Sequence, residues 1–338
     1  MLKVAVVILN WNGKKLLEQF LPSMIAFSKN DADVYVADNN SSDDSITFLK
    51  EKYPEVKIVQ NPTNGGYAKG YNDALKHIDA DIYALVNSDI EVTENWIQPI
   101  VTEFSNSENT AVVQPKILDF KDNTRFEYAG AAGGFIDFFG YPYCRGRIFQ
   151  TLEPDKHQYD NAVNIFWASG ACFFIRSQVF HQLKGFDEDY FAHQEEIDLC
   201  WRVENEGYKI RYVGDATVYH VGGATLHEAH PRKTFLNFRN SLFSIIKNVP
   251  KRYLVPVVLM RLLLDGLAGI KFLTELRPAH TWAIIKAHFS FYLMLPKMMG
   301  KRKNISYKRK NYHHSKSIIW QYYVKGRKTF DKILGEYI

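Results

Sequence analysis

At 338 residues, 46% of them hydrophobic and 23% charged, the chain can bury a large core, and one large domain with an appendage is the natural expectation. Its three cysteines, Cys144, Cys172 and Cys200, are far apart and lack metal-ligand spacing, which argues against a disulfide framework and for a reducing compartment. The net charge of +5 hides two unlike parts: residues 1–231 hold 20 Lys+Arg against 33 Asp+Glu, a balance of −13, while residues 232–338 hold 22 against 4, a balance of +18.

The N-terminal run MLKVAVVILNWNG turns polar too soon for a signal peptide and reads as a buried strand over Val4–Leu9. A helix is expected near 14–28, a strand over Val34–Ala37, a helix near 44–52 and a strand over Val56–Val59. A helix near 67–77 and a strand over Ile82–Val86 follow. Repeated strand–helix units predict a parallel sheet covered on both faces, with ligands beyond the carboxyl ends of its strands. Those ends carry Asn10-Trp11-Asn12-Gly13, Asp38-Asn39-Asn40-Ser41-Ser42-Asp43, Asn64-Gly65-Gly66-Tyr67 and Asn87-Ser88-Asp89, all polar and small.

Residues 110–185 read as mixed strands and long connections, with a glycine- and aromatic-rich segment over 129–147. The next stretch, GFDEDYFAHQEEIDLCWR (185–202), has six acids among the twelve residues Asp187 to Asp198, interleaved with apolar residues. On a helix over 193–206, Ile197, Cys200 and Trp201 face the core, while Glu195, Asp198 and Arg202 share a polar face. Asp198 and Arg202 form an ordinary i,i+4 ion pair in that reading. Glu196 lies on the edge of the apolar stripe, where burial raises a carboxyl towards a value useful for proton abstraction. A strand over Lys209–Tyr219 ends at His220, with Gly222-Gly223 behind it.

Beyond 232 the chain reads as helical. Tyr253–Leu276 is rich in Leu and Val but contains Arg261, Asp265 and Lys271, each costing roughly 2.5–3.5 kcal/mol at a helix centre in lipid, so spanning is disfavoured. Ala279–Leu295 carries Lys286 and is short for a span. With Lys301-Arg302-Lys303 and Lys308-Arg309-Lys310 behind them, these helices fit the surface of an anionic membrane; a soluble helical subdomain or an oligomer contact is the other reading.

The rim residues admit more than one chemistry. Asn64-Gly65-Gly66-Tyr67 opens a helix, where backbone amides can meet an anion, although glycine also serves tight turns. Asp89 follows a strand as a ligand of a hard cation would, or as a turn former. Asp38 has the same ambiguity, with Asp43 and Ser45 placed to cap the next helix, and His220 is a third ligand or a satisfied buried imidazole. No GxGxxG fingerprint and no GxxxxGK[ST] loop occurs, against a dehydrogenase and a P-loop enzyme.

Seven ordered blocks, VVILNWNG, VADNNSSDDS, NGGYAKGYN, LVNSD, WASGACFFIRSQVF, GFDEDYFAHQEEIDLCWR and VYHVGGAT, span about residues 2–245. Through them the chain resembles the family-2 glycosyltransferases, inverting enzymes of the nucleotide-diphospho-sugar transferase fold, in their bacterial rhamnosyltransferase-like branch. The resemblance implies a GT-A-type, Rossmann-like, mainly parallel mixed sheet flanked by helices over 1–245, with a basic amphipathic helical, membrane-leaning region over 246–338. It implies that Asn10, Asn12, Asp38, Asn64, Gly65, Ser88 and Asp89 bind the nucleotide sugar. Ser169, Gly170 and Ala171 line the junction of donor and acceptor. Asp89 and His220 meet a divalent metal, Mg²⁺ or Mn²⁺, and Asn87 stands where many relatives carry Asp. Glu196 stands where the family's catalytic Asp stands, one methylene longer, with Glu195 and Asp198 as further candidates.

The implied reaction moves a sugar from a UDP- or dTDP-sugar, dTDP-rhamnose among the candidates, to a hydroxyl of a cell-surface polysaccharide or a polyprenyl-diphosphate-linked glycan. It implies a cytoplasmic protein, peripheral on the inner face of the membrane, with no nucleic-acid partner. A non-catalytic nucleotide-sugar or glycan-binding scaffold is the rival from another class. A sugar nucleotidyltransferase would need a basic, glycine-rich triphosphate loop, and Asn10-Trp11-Asn12-Gly13 is not one.

Overall fold

The computed structural model describes residues 2–222, 230–306 and 311–334. Gly223 of the expected VYHVGGAT block and the Lys308-Arg309-Lys310 cluster lie outside the described residues.

The first half alternates as expected: β1 (Val4–Asn10), α1 (Lys14–Ser28), β2 (Ala32–Asp38), α2 (Ser45–Lys52), β3 (Lys57–Gln60), α3 (Gly66–Ala74), β4 (Ile82–Asn87), β5 (Ile90–Val92), α4 (Gln98–Asn106) and β6 (Thr110–Asp119). Four short strands follow, β7 (Gly134–Ile136), β8 (Pro142–Cys144), β9 (Arg147–Ile148) and β10 (Thr151–Leu152). Then come β11 (Val163–Ile165), β12 (Cys172–Arg176), α5 (Ser177–Gln182), α6 (Glu195–Asn205) and β13 (Lys209–His220). The chain continues with α7 (Pro231–Asn248), α8 (Lys251–Thr274), α9 (Pro278–Arg302) and α10 (Phe330–Leu334).

The main sheet runs β11-β13-β6-β12-β4-β1-β2-β3, with β5 on β13. Strands β3, β2, β1 and β4 are mutually parallel, β12 is antiparallel to both β4 and β6, and β13 is parallel to β6. The expected mixed, mainly parallel sheet is present. On β1, Val4, Val6 and Ile8 enter one core and Ala5 and Val7 the other, the pattern of a strand covered on both faces. Helix α1 buries Leu17, Phe20, Leu21 and Met24, the i, i+3, i+4, i+7 stripe that seats it on the sheet. The Asp43 carboxylate accepts from the amides of Lys14 and Ser45, at the starts of α1 and α2.

Helix α6 shows Ile197, Cys200 and Trp201 buried, as its periodicity requires. The Asp198–Arg202 pair exists at 2.9 Å, but it is not a surface pair: Asp198 has no exposed surface. Its carboxylate also accepts from Lys247 Nζ at 2.8 Å, Asn248 Nδ2 at 2.9 Å and Tyr190 Oη at 3.3 Å. Lys247 reaches Asp187 at 2.6 Å, Lys301 bonds both Asp187 and Asp189, and Lys297 meets Asp189 at 2.7 Å. Burial works against the charges on Asp187 and Asp198, yet Lys247, with Lys301 and Arg202 respectively, outweighs it and holds both below the ordinary carboxylate range. The expected unit boundary after 245 falls inside α7, whose last turn delivers Lys247 and Asn248 to Asp198.

Helix α8 turns its charges inward. Arg261 stacks 3.8 Å over the Tyr141 ring and donates to the Gly140 carbonyl and Ser241 Oγ. Asp265 accepts from Tyr141 Oη and meets His288. The opposite side exposes Val255, Leu259, Leu263, Leu267, Ile270 and Leu273, one stripe at i+4 and i+3 spacing.

Replacing Lys247 with Met removes the cation shared by two buried carboxylates. Loss of one partner of such a pair costs about 3–5 kcal/mol, which chemical denaturation measures. The folded acids lie below their unfolded value of 3.8, so their contribution is present above that pH and is lost as pH falls through the folded values. The acid limb of stability is therefore shallower in Lys247→Met than in the wild type.

Candidate active site

A cleft of about 1480 Å³ opens beyond the carboxyl ends of β1 and β4 and runs to α6 and α7. Asn10, Asn12, Asn64, Ser88, Asp89, Ser169, Gly170, Ala171, Glu195, Glu196 and His220 all line it. Of the residues singled out in the sequence, Asp38, Gly65 and Asp198 do not.

Asp38 is 1% exposed and sits beneath the rim. It accepts from Asn10 Nδ2 at 3.0 Å, Ser41 Oγ at 2.5 Å and the Ser41 amide at 2.9 Å. Asn12, at φ +51°, closes the rim by accepting from the Ser42 amide at 2.7 Å and donating its own amide to Ser41 Oγ. Gly13 is required beside it, because a Cβ there would stand 2.4 Å from Asn10 Oδ1.

The glycine-rich turn before α3 serves geometry, not an anion. The amides of Tyr67 and Ala68 donate to the Phe191 carbonyl, and Asn64 Oδ1 accepts from the Gly66 amide. Gly66 has φ +77°, and a Cβ on it would meet the Phe191 carbonyl at 2.6 Å. The orphan donors of the helix start are spent on holding the loop before α6.

Asp89, in the turn between β4 and β5, places Oδ1 3.2 Å from His220 Nε2, at the end of β13. His220 Nδ1 lies 3.3 Å from Glu127 Oε1. Burial alone would lower the imidazole, but the Glu127 charge and the contact with Asp89 outweigh it and hold it at about 10. As it stands this is an imidazolium between two carboxylates. A divalent cation would have to displace the Nε2 proton, and it would then be held by Asp89 and His220 with Glu127 accepting from Nδ1–H behind it. A separate group, Asp155, His157 and Asp160, is already served by Lys116, which bonds both of its carboxylates.

On the other wall, Ser169 Oγ accepts from the Ala171 amide and the Gly170 carbonyl accepts from Tyr67 Oη. A Cβ on Gly170 would lie 3.7 Å from Glu196 Cγ, so this backbone passes directly beneath the Glu196 side chain. Among the described residues, Glu195 and Glu196 each leave Oε2 without a hydrogen-bond partner. Burial raises Glu196 to about 7. Glu195 is raised well above the ordinary range by burial and by the neighbouring Glu196 charge. Burial and mutual repulsion thus favour the protonated forms of these adjacent carboxyls, and Glu196 is the one raised to about 7. Asp198, by contrast, is ionised and fully engaged with cations, so it has no free oxygen to take a proton.

Glu127, Arg147, Arg232 and Lys233 also line the cleft and are absent from the sequence reading. Glu127 lies in an irregular connection, and Arg232 and Lys233 stood among tail charges that carried no spacing signal.

The nucleotide-binding type of α/β sheet and the carboxylates at its strand ends define a class. Residues 5–183 match the model of glycosyl transferase family 2, more than half the chain, and the chain belongs to that family. It is a glycosyltransferase, and its curated relatives include rhamnosyltransferases. The N-acetylglucosaminyl-diphospho-decaprenol L-rhamnosyltransferase of Mycobacterium tuberculosis is 26% identical over 246 residues, covering 67% of this chain and 76% of that one. Among solved structures, S. aureus TarS 1–349 in complex with UDP-GlcNAc shares the fold with TM-score 0.55 and 16% identity, covering 91% of this chain and 93% of that one. The mannosyltransferase PcManGT of Pyrobaculum calidifontis, in complex with GDP-Man and Mn²⁺, gives TM-score 0.53 and 14% identity, covering 89% and 84%.

Because Glu196 is raised to about 7, the folded protein keeps a proton that the unfolded chain loses above the ordinary glutamate value of 4.5. Stability therefore declines from this group as pH rises between those values. Glu196→Gln, measured by thermal unfolding, stabilises the protein more at pH 8 than at pH 5. Difference infrared spectroscopy finds a carboxyl titrating near 7 that this variant lacks.

Proposed function

We propose that the protein is an inverting, metal-assisted glycosyltransferase that moves a sugar from a UDP- or dTDP-sugar, such as dTDP-rhamnose, to a hydroxyl of a lipid-linked or polysaccharide glycan. The observation that carries this reading is a single cleft with a cation-competent Asp89–His220 pair on one side and Glu196 on the other.

The Asn10, Asn12 and Ser41 rim, held from below by Asp38, receives the nucleoside, with Asn64 and Gly65 bounding the same end. Ser88 and Asp89 meet the diphosphate, and Asp89 and His220 hold the cation. A bound divalent metal supplies neutralisation of the charge that grows on the leaving diphosphate. Ser169, Gly170 and Ala171 form the floor where donor and acceptor meet. Glu196, ionised near neutral pH, takes the proton of the acceptor hydroxyl as that oxygen attacks the anomeric carbon. Attack on the face opposite the leaving group inverts the centre, with no enzyme-bound sugar. Glu195, still protonated, keeps a second negative charge away from Glu196. M. tuberculosis supplies the acceptor analogy: the relative's name is that of an N-acetylglucosaminyl-diphospho-decaprenol L-rhamnosyltransferase.

The C-terminal helices support a peripheral membrane location on the cytoplasmic face. By length and composition α8 can cross a membrane, yet Arg261 and Asp265 are spent inside the protein, and only its outer stripe is free to meet lipid. Trp282, Phe289 and Leu293 of α9 and Trp320 add exposed apolar area, with the exposed Lys251 and Arg252 at the start of α8 and Lys303 just after α9 available to anionic headgroups.

Assayed with dTDP-rhamnose or UDP-sugars and a diphospholipid-linked N-acetylglucosamine acceptor, Glu196→Gln loses about 10²–10⁴-fold in turnover while calorimetric donor affinity is retained. Asp89→Ala loses the Mn²⁺-dependent part of donor binding. Full turnover in Glu196→Gln sinks the base assignment, and slow donor hydrolysis by the wild type separates an enzyme from a scaffold.

Leu259→Glu with Leu263→Glu and Leu267→Glu leaves the inner face of α8 intact. Sedimentation with phosphatidylglycerol vesicles falls to background in this variant, and wild type that ignores such vesicles overturns the membrane reading.

A further inference from the structure

The loop that delivers Glu195 and Glu196 is held in an improbable path. Phe191, His193 and Gln194 have φ of +64°, +67° and +71°, a region that non-glycine residues rarely occupy and that persists only when neighbours hold it. Gln194 is also the residue from which α6 starts. The holding groups come from α7 and α3.

Asn240, on α7, has no exposed surface. The two N–H groups of its Nδ2 are shared among the carbonyls of Tyr190 at 3.1 Å, Ala192 at 3.0 Å and His193 at 2.7 Å. Arg239 Nε donates to Asn240 Oδ1 at 2.9 Å, and Arg239 Nη2 reaches the carbonyls of Asp189 and Tyr190. A guanidinium only donates, so this bond decides which way the amide points: its N–H groups must face the loop. The Phe191 carbonyl is taken by the amides of Tyr67 and Ala68. All five carbonyls from Asp189 to His193 are thus satisfied from outside the loop.

We propose that Asn240, oriented by Arg239, is a positioning residue for Glu196. It compensates the left-handed path of 191–194 and so sets where α6 begins and where the Glu196 carboxylate enters the cleft. Asn240 does not itself touch the reacting atoms. The proposal rests on the reading of Glu196 as the base. It goes beyond that reading in assigning the base's aim to a side chain of α7, a helix outside the matched family segment.

The test uses the full chain, with dTDP as the binding probe and rhamnosyl transfer from dTDP-rhamnose as the turnover readout. Asn240→Ala lowers kcat at least 30-fold while the calorimetric Kd for dTDP stays within threefold. The carboxyl band titrating near 7 moves down towards the ordinary range as Glu196 becomes solvated. Adding His193→Gly and Gln194→Gly to Asn240→Ala recovers at least threefold in kcat, because glycine accepts the left-handed path without the clamp. A merely structural asparagine gives no such recovery.

An unchanged kcat with the band still near 7 overturns the proposal, as does a parallel loss of kcat and dTDP affinity. Should Asn240→Ala not fold, Arg239→Gln, altering a half-buried side chain, lowers kcat about five-fold at constant dTDP affinity; unchanged kcat there overturns the proposal equally. A dead Glu196→Gln beside a fully active Asn240→Ala rejects the clamp and spares the base, whereas a fully active Glu196→Gln rejects the base itself.

Discussion

A carboxylate with no exposed surface must be neutralised inside the protein, and the one on Asp198 draws three elements together to do it. Arg202 comes from its own helix, Lys247 and Asn248 from the last turn of α7, and Tyr190 from the loop ahead of α6. Leaving any of these groups out would strand a charge where water cannot reach, at a cost of several kcal/mol. Lys247 is shared with Asp187, which Lys301 of α9 also meets, so the same electrostatic demand fixes the loop and both C-terminal helices. The basic C-terminal third and the acidic stretch at 185–202 are therefore two halves of one buried network. The −13 balance of residues 1–231 and the +18 of residues 232–338 meet here in part.

That network explains how an irregular loop can hold a precise position. With α7 fixed by Lys247 and Asn248, the earlier turn of the same helix presents Arg239 and Asn240 to the carbonyls of 189–193. On the far side, α3 lends the amides at its N-terminus to Phe191. Amides that would suit an anion are used instead to define where α6 starts. The two glutamates at that start then line the cleft, where burial holds both above the ordinary carboxylate range. Burial here works for chemistry and against stability, since a raised carboxyl favours the unfolded chain wherever it is ionised.

The first ninety residues were legible in the sequence because strand and helix periods alternate cleanly. Lys14–Ser28 and Ile82–Asn87 fall where the pattern puts them. Glu196 was separable from its acidic neighbours because the helical wheel sets it at the edge of the stripe formed by Ile197, Cys200 and Trp201. The same wheel placed Asp198 and Arg202 correctly together but on the wrong side of the solvent boundary. Nothing local in EEIDLCWR reveals that α7 will cover that face with Lys247. Asp38 was legible as important yet not as buried, since Ser41 and Asn10 close over it only after β1 and β2 pair in register. Glu127 and Arg147 were invisible for a related reason: they lie in the 52 residues between β6 and β12, where irregular chain and strands of two or three residues give no periodic signal.

Helix α8 shows how composition misleads when direction is unknown. Counted along the chain, Arg261, Asp265 and Lys271 weigh against spanning a bilayer but do not say which face of the helix stays apolar. Around the helix axis, Arg261 and Asp265 fall on the side that meets Tyr141 and Ser241, and the apolar residues are left on the other. The stacking of Arg261 on Tyr141 and the bond from Tyr141 Oη to Asp265 make this orientation the one in which neither charge is stranded. The polar groups buried on one side of α8 are thus the ones that fix which face it presents. Tyr141 and Arg261 also line the cleft. The covered side of α8 is therefore continuous with the active-site wall.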